Sequence, residues 1–139
     1  MKFDWVFEKP PYQPGHGSKP SLPEATTALT ESSWSSHEIF QLGLLCHNRG
    51  YYWEAHEILE SLWHLQSGIL KEFIQVLIQR AAAELKIQQG DPSAAHRLRT
   101  SAISKVHVMK THHSSLLGFD LNDLLKELES KTQGEARST

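Results

Sequence analysis

Phe73-Ile74-Gln75-Val76-Leu77-Ile78-Gln79-Arg80-Ala81-Ala82-Ala83 is the stretch whose reading decides the fold. Wound at about 100° per residue, it is apolar nearly all round. A helix with no wet face belongs in the middle of a molecule. The pattern predicts a buried central helix over 70–89, closed by Gly90. Such a helix has to be wrapped by others, so the flanking sequence should supply amphipathic helices.

It does so on both sides. Upstream, Ser35 and Glu38 read as a capping box that opens a first helix through Ile39, Phe40, Leu42, Leu44 and Leu45. That helix should stop at Asn48-Arg49-Gly50, where glycine suits a left-handed cap. A second helix is predicted over 52–65, ending at Ser67-Gly68. Downstream, Asp91-Pro92 pairs an N-cap with proline at the first helical position and opens a fourth helix to about residue 110. Asp120 should cap a short fifth helix over 121–131, with Leu121, Leu124, Leu125 and Leu128 on one face. No alternating run of Val, Ile and Thr bounded by turn signals appears, so no sheet is predicted. Short connections make successive helices neighbours. The fold class is therefore all-α, a single compact bundle of about five helices over 34–131.

Five of the six prolines lie in the first 23 residues. Proline lacks an N–H and fixes φ, so this segment reads as an extended arm. Its aromatics Trp5, Phe7 and Tyr12 argue that it lies on the body. Residues 23–33 read as a polar linker, which makes 1–33 arm and linker, and the polar 132–139 reads as a disordered tail. Gly50, Ala55 and His56 recur at equal offsets as Gly90, Ala95 and His96, a faint echo of stacked hairpins whose spacing fits no tetratricopeptide unit.

The chain has 139 residues, 39% hydrophobic and 22% charged, with a net charge of -2. This is the composition of one soluble globular domain. The acidic balance argues against a general nucleic-acid binder, which needs a basic surface. No apolar run is long enough to span a membrane, and the N-terminus carries no signal-peptide pattern. The single cysteine, Cys46, forms no internal disulfide, so a cytoplasmic location is expected.

The densest polar cluster is on the second helix. Trp53, His56, Glu60 and Trp63 fall on one face there, with Glu57 and His64 at its edge and Glu54 pointing away. Gln75 and Gln79 interrupt the apolar third helix one turn apart. Buried amides need partners, and the simplest solution pairs them with His56 and Glu60 across a helix interface. His112-His113 reads as a solvated helix end, and Cys46 as a packed small hydrophobe.

Asn48-Arg49-Gly50-Tyr51-Tyr52-Trp53-Glu54-Ala55-His56-Glu57-Ile58-Leu59-Glu60-Ser61-Leu62-Trp63 resembles the hallmark of domain of unknown function family 309, a bacterial helical family. The run 73–83 resembles its second motif, Gly90-Asp91 with Ala94-Ala95 its third, and Pro10-Pro11-Tyr12-Gln13-Pro14-Gly15 its leader. Val76 stands where a small residue is expected, which implies slightly different helix packing. The resemblance spans most of 10–110. It implies a compact helical bundle and no established activity.

Two functions remain. The leading one is a non-catalytic binding or interaction domain without a cofactor. Its informative surface lies around Trp53, His56, Glu57, Glu60, Trp63, Gln75 and Gln79, and its partner is a protein, a small molecule or a second copy of the chain. Within it, Trp53, Trp63 and the glutamines could wall a small-molecule pocket. The rival is a metal-dependent, hydrolase-like enzyme. His56-Glu57-x-x-Glu60 resembles the zinc-protease helix, with His56 and Glu60 holding a divalent metal and Glu57 as base. A catalytic zinc wants a third protein ligand, for which His96 and His107 are candidates by position only. The bland reading is a buried polar network in which His56 and Glu60 bond the glutamines.

Overall fold

A computed structural model of the protein describes residues 2–138, with side chains described for 2–132. Among them the chain forms five α-helices: α1 (Glu38–Asn48), α2 (Tyr52–Trp63), α3 (Gly68–Gln88), α4 (Pro92–Met109) and α5 (Leu121–Ser138). A 3-10 turn, Asp4–Glu8, opens the arm. The expected all-α bundle is present. α3 packs between α2 and α4, α1 lies on α2, and α5 lies on α4. Phe73, Ile74, Val76 and Leu77 of α3 are fully buried, together with Phe40, Leu59 and Leu62 from the helices before it. At roughly 1.5–3 kcal/mol per large apolar side chain, this cluster is the main stabilising term. Val76 is fully buried in this cluster.

The helix ends follow local chemistry. After α1, the Tyr51 N–H donates to the Cys46 carbonyl at 2.8 Å and the Gly50 N–H to that of His47 at 3.2 Å. After α3, Asp91 and Gly90 repeat the pattern on Lys86 and Ile87, at 2.9 and 3.0 Å. Both are Schellman closures. The echo between Gly50 and Gly90 is thus accounted for by one cap used twice. Asp91 Oδ1 accepts the Ala94 N–H at 3.0 Å, and Asp120 Oδ1 accepts that of Asp123 at 2.9 Å, so both expected aspartate caps are present. The expected capping box at Ser35 is not. Helix α1 begins at Glu38, and the N-cap is His37, whose ring Nδ1 accepts the Phe40 N–H at 3.3 Å. With Nδ1 accepting, Nε2 carries the hydrogen and donates to the Thr27 carbonyl at 2.9 Å. This second bond ties the linker to the cap, an advantage a serine hydroxyl could not supply.

The expectation of no sheet fails at one place. Ser115–Leu116 and Phe119–Asp120 form a two-residue antiparallel hairpin, β1 and β2, between α4 and α5. Its turn residues both have positive φ, Leu117 at 48° and Gly118 at 81°, the geometry of a tight hairpin. A leucine there is strained. It is held because its side chain is fully buried and its N–H donates to Glu31 Oε1 at 2.8 Å. Gly118 has a different constraint: an added Cβ would lie 2.5 Å from the Trp34 ring.

The arm and linker join the core. Leu29 is packed into the main cluster, while Val6 packs with Leu42, Cys46, Ala55, Ile58 and Ala81 in a second one. Helix α5 continues beyond the end expected for it, so the tail expected over 132–139 falls mostly outside the residues whose side chains are described.

A polar layer closes the α1–α3–α4–α5 end. Arg99 is buried and donates to Glu84 Oε1 at 2.7 Å, Lys131 bonds the same oxygen, and Arg80 binds Glu127 at 2.9 Å. His47 is buried beside this layer, its ring edge-on to Tyr52 and its Nδ1 without a partner among the described residues. Burial, then the charges of Arg80, Lys131 and Arg99, push its imidazole down to about 3 from 6.5.

Two outcomes test this account. Gly118→Ala meets both a positive φ and the Trp34 ring, and should cost about 2 kcal/mol or more in urea unfolding. For His47 the unfolded chain takes up a proton near pH 6.5 and the folded chain only near pH 3. Stability should therefore fall as pH drops through that window, by about 1–2 kcal/mol between pH 7 and pH 5 from this group. In His47→Leu that share of the slope should vanish; unchanged slopes would refute the assignment.

Candidate functional site

Helix α2 carries two chemically different faces. The outward one holds the residues marked by the sequence. His56 Nδ1 lies 3.3 Å from Glu57 Oε1 and 3.8 Å from Glu60 Oε2. One ligand atom from each of the three falls within 4.8 Å of the others. All are partly open to water, with side-chain exposures of 29%, 43% and 45%. The i, i+4 spacing brings His56 and Glu60 together, and Glu57 reaches sideways to join them.

The rest of the expected cluster is dispersed. Gln79 turns to α4: its amide donates to Ser101 Oγ at 3.1 Å and its oxygen accepts from Lys105 Nζ at 3.2 Å. Gln75 is half-buried, and among the described residues no hydrogen bond joins it to His56 or Glu60. The expected network of His56 and Glu60 with the glutamines is therefore not formed. α4 supplies its own partners to Gln79 first. Trp63 sits under Lys71 Nζ, 4.0 Å from the ring centroid, and beside the His64 ring. Trp53 is covered by Tyr12 of the arm, with ring centroids 4.6 Å apart. The pocket imagined between the two tryptophans and the glutamines is thus not assembled. His96 and His107 are exposed on α4 and do not join His56.

The other face of α2 receives the arm, and sequence reasoning missed its central residue. Glu54 does point away from His56, but into the protein, where it is only 3% exposed. Its Oε2 accepts the Tyr12 N–H at 2.9 Å, while Oε1 is buried and has no partner among the described residues. Burial raises its carboxyl above the usual range, and the Tyr12 N–H only partly opposes this. A signal was present in the sequence: Glu54 lies one turn from Ile58 and beside Ala55, on the apolar side of α2.

Around Glu54 the arm is clamped by aromatic and polar contacts. The Tyr51 hydroxyl donates to the Lys9 carbonyl at 2.6 Å, Phe7 meets Tyr51 edge-on at 5.0 Å, and the Arg49 guanidinium lies 4.4 Å from the Phe7 centroid. Further along, the Ala25 N–H donates to Ser61 Oγ at 3.1 Å. Between arm and helix a cavity of about 660 Å³ is left, with Glu54 in its wall. Cys46 lies nearby, its thiol pushed up to about 12 by burial and then by the Glu54 charge, so it is an inert packed group at neutral pH. A broader cleft of about 800 Å³ lies between the linker and the start of α1, and neither buried unpartnered atom, His47 Nδ1 or Glu54 Oε1, belongs to its lining.

Residues 40–98 match the family described as Domain of unknown function (DUF309). This is the family that the α2 motif resembles, and the matched segment contains both that motif and the buried run of α3. No curated protein and no solved structure matches the chain. Among the described residues no helix is long and apolar enough to cross a membrane.

The state of Glu54 has a measurable signature. Its folded pKa is raised, so its contribution to stability is present below the unfolded value and is lost as pH rises through the folded one. The stability of Glu54→Gln relative to the parent should therefore increase in urea melts as pH rises above 4.5, and level off once Glu54 ionises in the folded chain. A constant difference across that range would mean that Glu54 ionises as freely folded as unfolded.

Proposed function

We propose that the protein is a non-catalytic binding domain, and that the outward face of α2 binds a divalent cation. The observation that carries this is the convergence of His56, Glu57 and Glu60 within 4.8 Å at a water-accessible surface. Ligand bonds of about 2.0–2.1 Å set the edges of a tetrahedral site at roughly 3.3 Å. The separations of 3.3 and 3.8 Å from His56 Nδ1 to the two carboxylates come close to that already. Solvent can fill the remaining positions.

The alternative, a metal-dependent hydrolase, would need Glu57 free as a general base. Glu57 Oε1 stands nearer His56 Nδ1 than Glu60 Oε2 does, which supports it as a third ligand instead. With one ligand atom from each of the three groups within 4.8 Å of the others, all three are accounted for as ligands and none of them is left to take a proton from water. The buried, unbridged Cys46 supports a reducing cytoplasm as the setting, and the family resemblance supports a bacterial one.

The test is the metal content of untagged protein purified without chelator, followed by melting with added zinc, manganese or iron. At a hundredfold excess over the dissociation constant the linkage is about 2.7 kcal/mol, a rise of roughly 5–10 °C for a chain of this size. His56→Ala and Glu60→Ala should abolish it while staying folded, since both side chains are solvent-facing. No metal and no shift in the parent would overturn the proposal.

A further inference from the structure

The cavity between arm and α2 is a second feature, independent of the His56 group and on the opposite side of the helix. We infer that it is a binding site for a small molecule bearing one primary ammonium group on an apolar body, with the ammonium on Glu54 and the body between Trp5, Tyr12 and the arm prolines.

Glu54 carries the argument. A carboxyl group in the apolar part of a helix interface is costly, and one oxygen without a partner is costlier still. If Glu54 served only to anchor the arm, a single acceptor for the Tyr12 N–H would be enough. A glutamine would provide that acceptor without a charge. Instead the Tyr12 N–H occupies Oε2 and leaves Oε1 buried and unmatched, in a side chain that borders a cavity of about 660 Å³. That volume falls in the range of small-molecule sites. What a buried carboxylate lacks is a positively charged hydrogen-bond donor, and an ammonium supplies both charge and donor.

The remaining walls specify the rest of the ligand. Pro11, Pro20 and Leu22 give one apolar strip suited to a hydrocarbon body, beside the polar Gln13, His16, Ser18 and Ser21. Trp5 is 47% exposed although tryptophan is usually covered, and it lines the same cavity. With Tyr12 it places two aromatic rings in the lining, and aromatic rings attract a cation. Lys9 and Lys19 also line the cavity. Glu8 in the same lining offsets one of these charges, and the remaining positive charge opposes a second cationic group on the ligand, so a monocation should be preferred over a dication. The arm is positioned for this by the tilted contact of Tyr12 with Trp53 and by the Tyr51 hydroxyl, so the cavity is built into the fold.

The experiment titrates the full chain by calorimetry with benzylammonium, with its neutral isostere benzyl alcohol, and with the para-bis(aminomethyl)benzene dication. Benzylammonium should bind at least tenfold more tightly than either. Glu54→Gln should lose at least tenfold for benzylammonium and leave benzyl alcohol unchanged. Because Glu54→Gln also alters the arm contact, Trp5→Ala provides a second variant away from the buried carboxyl, and it should weaken benzylammonium severalfold. Amide chemical-shift changes on titration should concentrate on residues 5–22 and around Glu54. Equal binding of the ammonium and the alcohol, no binding of any probe, or shifts centred elsewhere would each overturn the inference. None of these outcomes bears on the cation site at His56, which faces the other way and is read by metal content.

Discussion

From Phe73 to Gln79 every residue of α3 is buried except the half-buried Gln75, and the rest of the molecule is arranged around that constraint. Phe73, Ile74, Val76 and Leu77 must be covered in every direction. No single neighbour can do so, because one packed helix shields only a stripe. α2 and α4 take the two flanks, α1 backs α2, and α5 backs α4. The hairpin and linker complete the enclosure through Leu116, Leu117 and Leu29. The strained φ of Leu117 makes sense in this light. About 1 kcal/mol or more of backbone strain is tolerated because it brings a large side chain into the main cluster.

Charge is handled by position. At one end of the bundle the carboxylate of Glu84 lies among Arg99, Lys131 and their neighbours, so burial is offset by ion pairing. At the arm side Glu54 has one backbone N–H and nothing on its other oxygen. The same chain thus contains a mostly buried acid that is matched and a fully buried one that is not. The first reads as architecture. The second is a local violation of the rule that buried polar atoms are paired, and such violations concentrate at sites with work to do.

The parts legible in the sequence were those controlled by local pattern. The apolar run at 73–83 identified the central helix because burial on all sides leaves a periodicity signature. Asp91 and Asp120 identified helix starts because a short acceptor before an apolar run has few other uses. His37 escaped notice because an imidazole caps only when a second partner, here Thr27, fixes its tautomer, and that partner is ten residues away. The hairpin escaped because two-residue strands carry no alternation to detect. At the candidate site, the helical wheel placed His56 and Glu60 together but could not foresee that Ser101 and Lys105 would claim Gln79. Glu54 was passed over because it was judged by the face it left and not by the one it joined.

The manner in which the arm is attached has a consequence for motion. Its contacts with α2 join residues some forty positions apart in the chain, as in Tyr12 with Glu54 and Tyr51 with Lys9. They are also few compared with those holding α3. Segments of this kind open and reclose as units at a free energy well below that of global unfolding. The Tyr12 N–H is held by Glu54 alone across that junction, whereas Ala55 beneath it is fully buried in α2. A cavity walled by the arm exists only in the closed population. Its apparent affinity for any occupant is the intrinsic value reduced by the closed fraction, and each occupant in turn draws the arm shut.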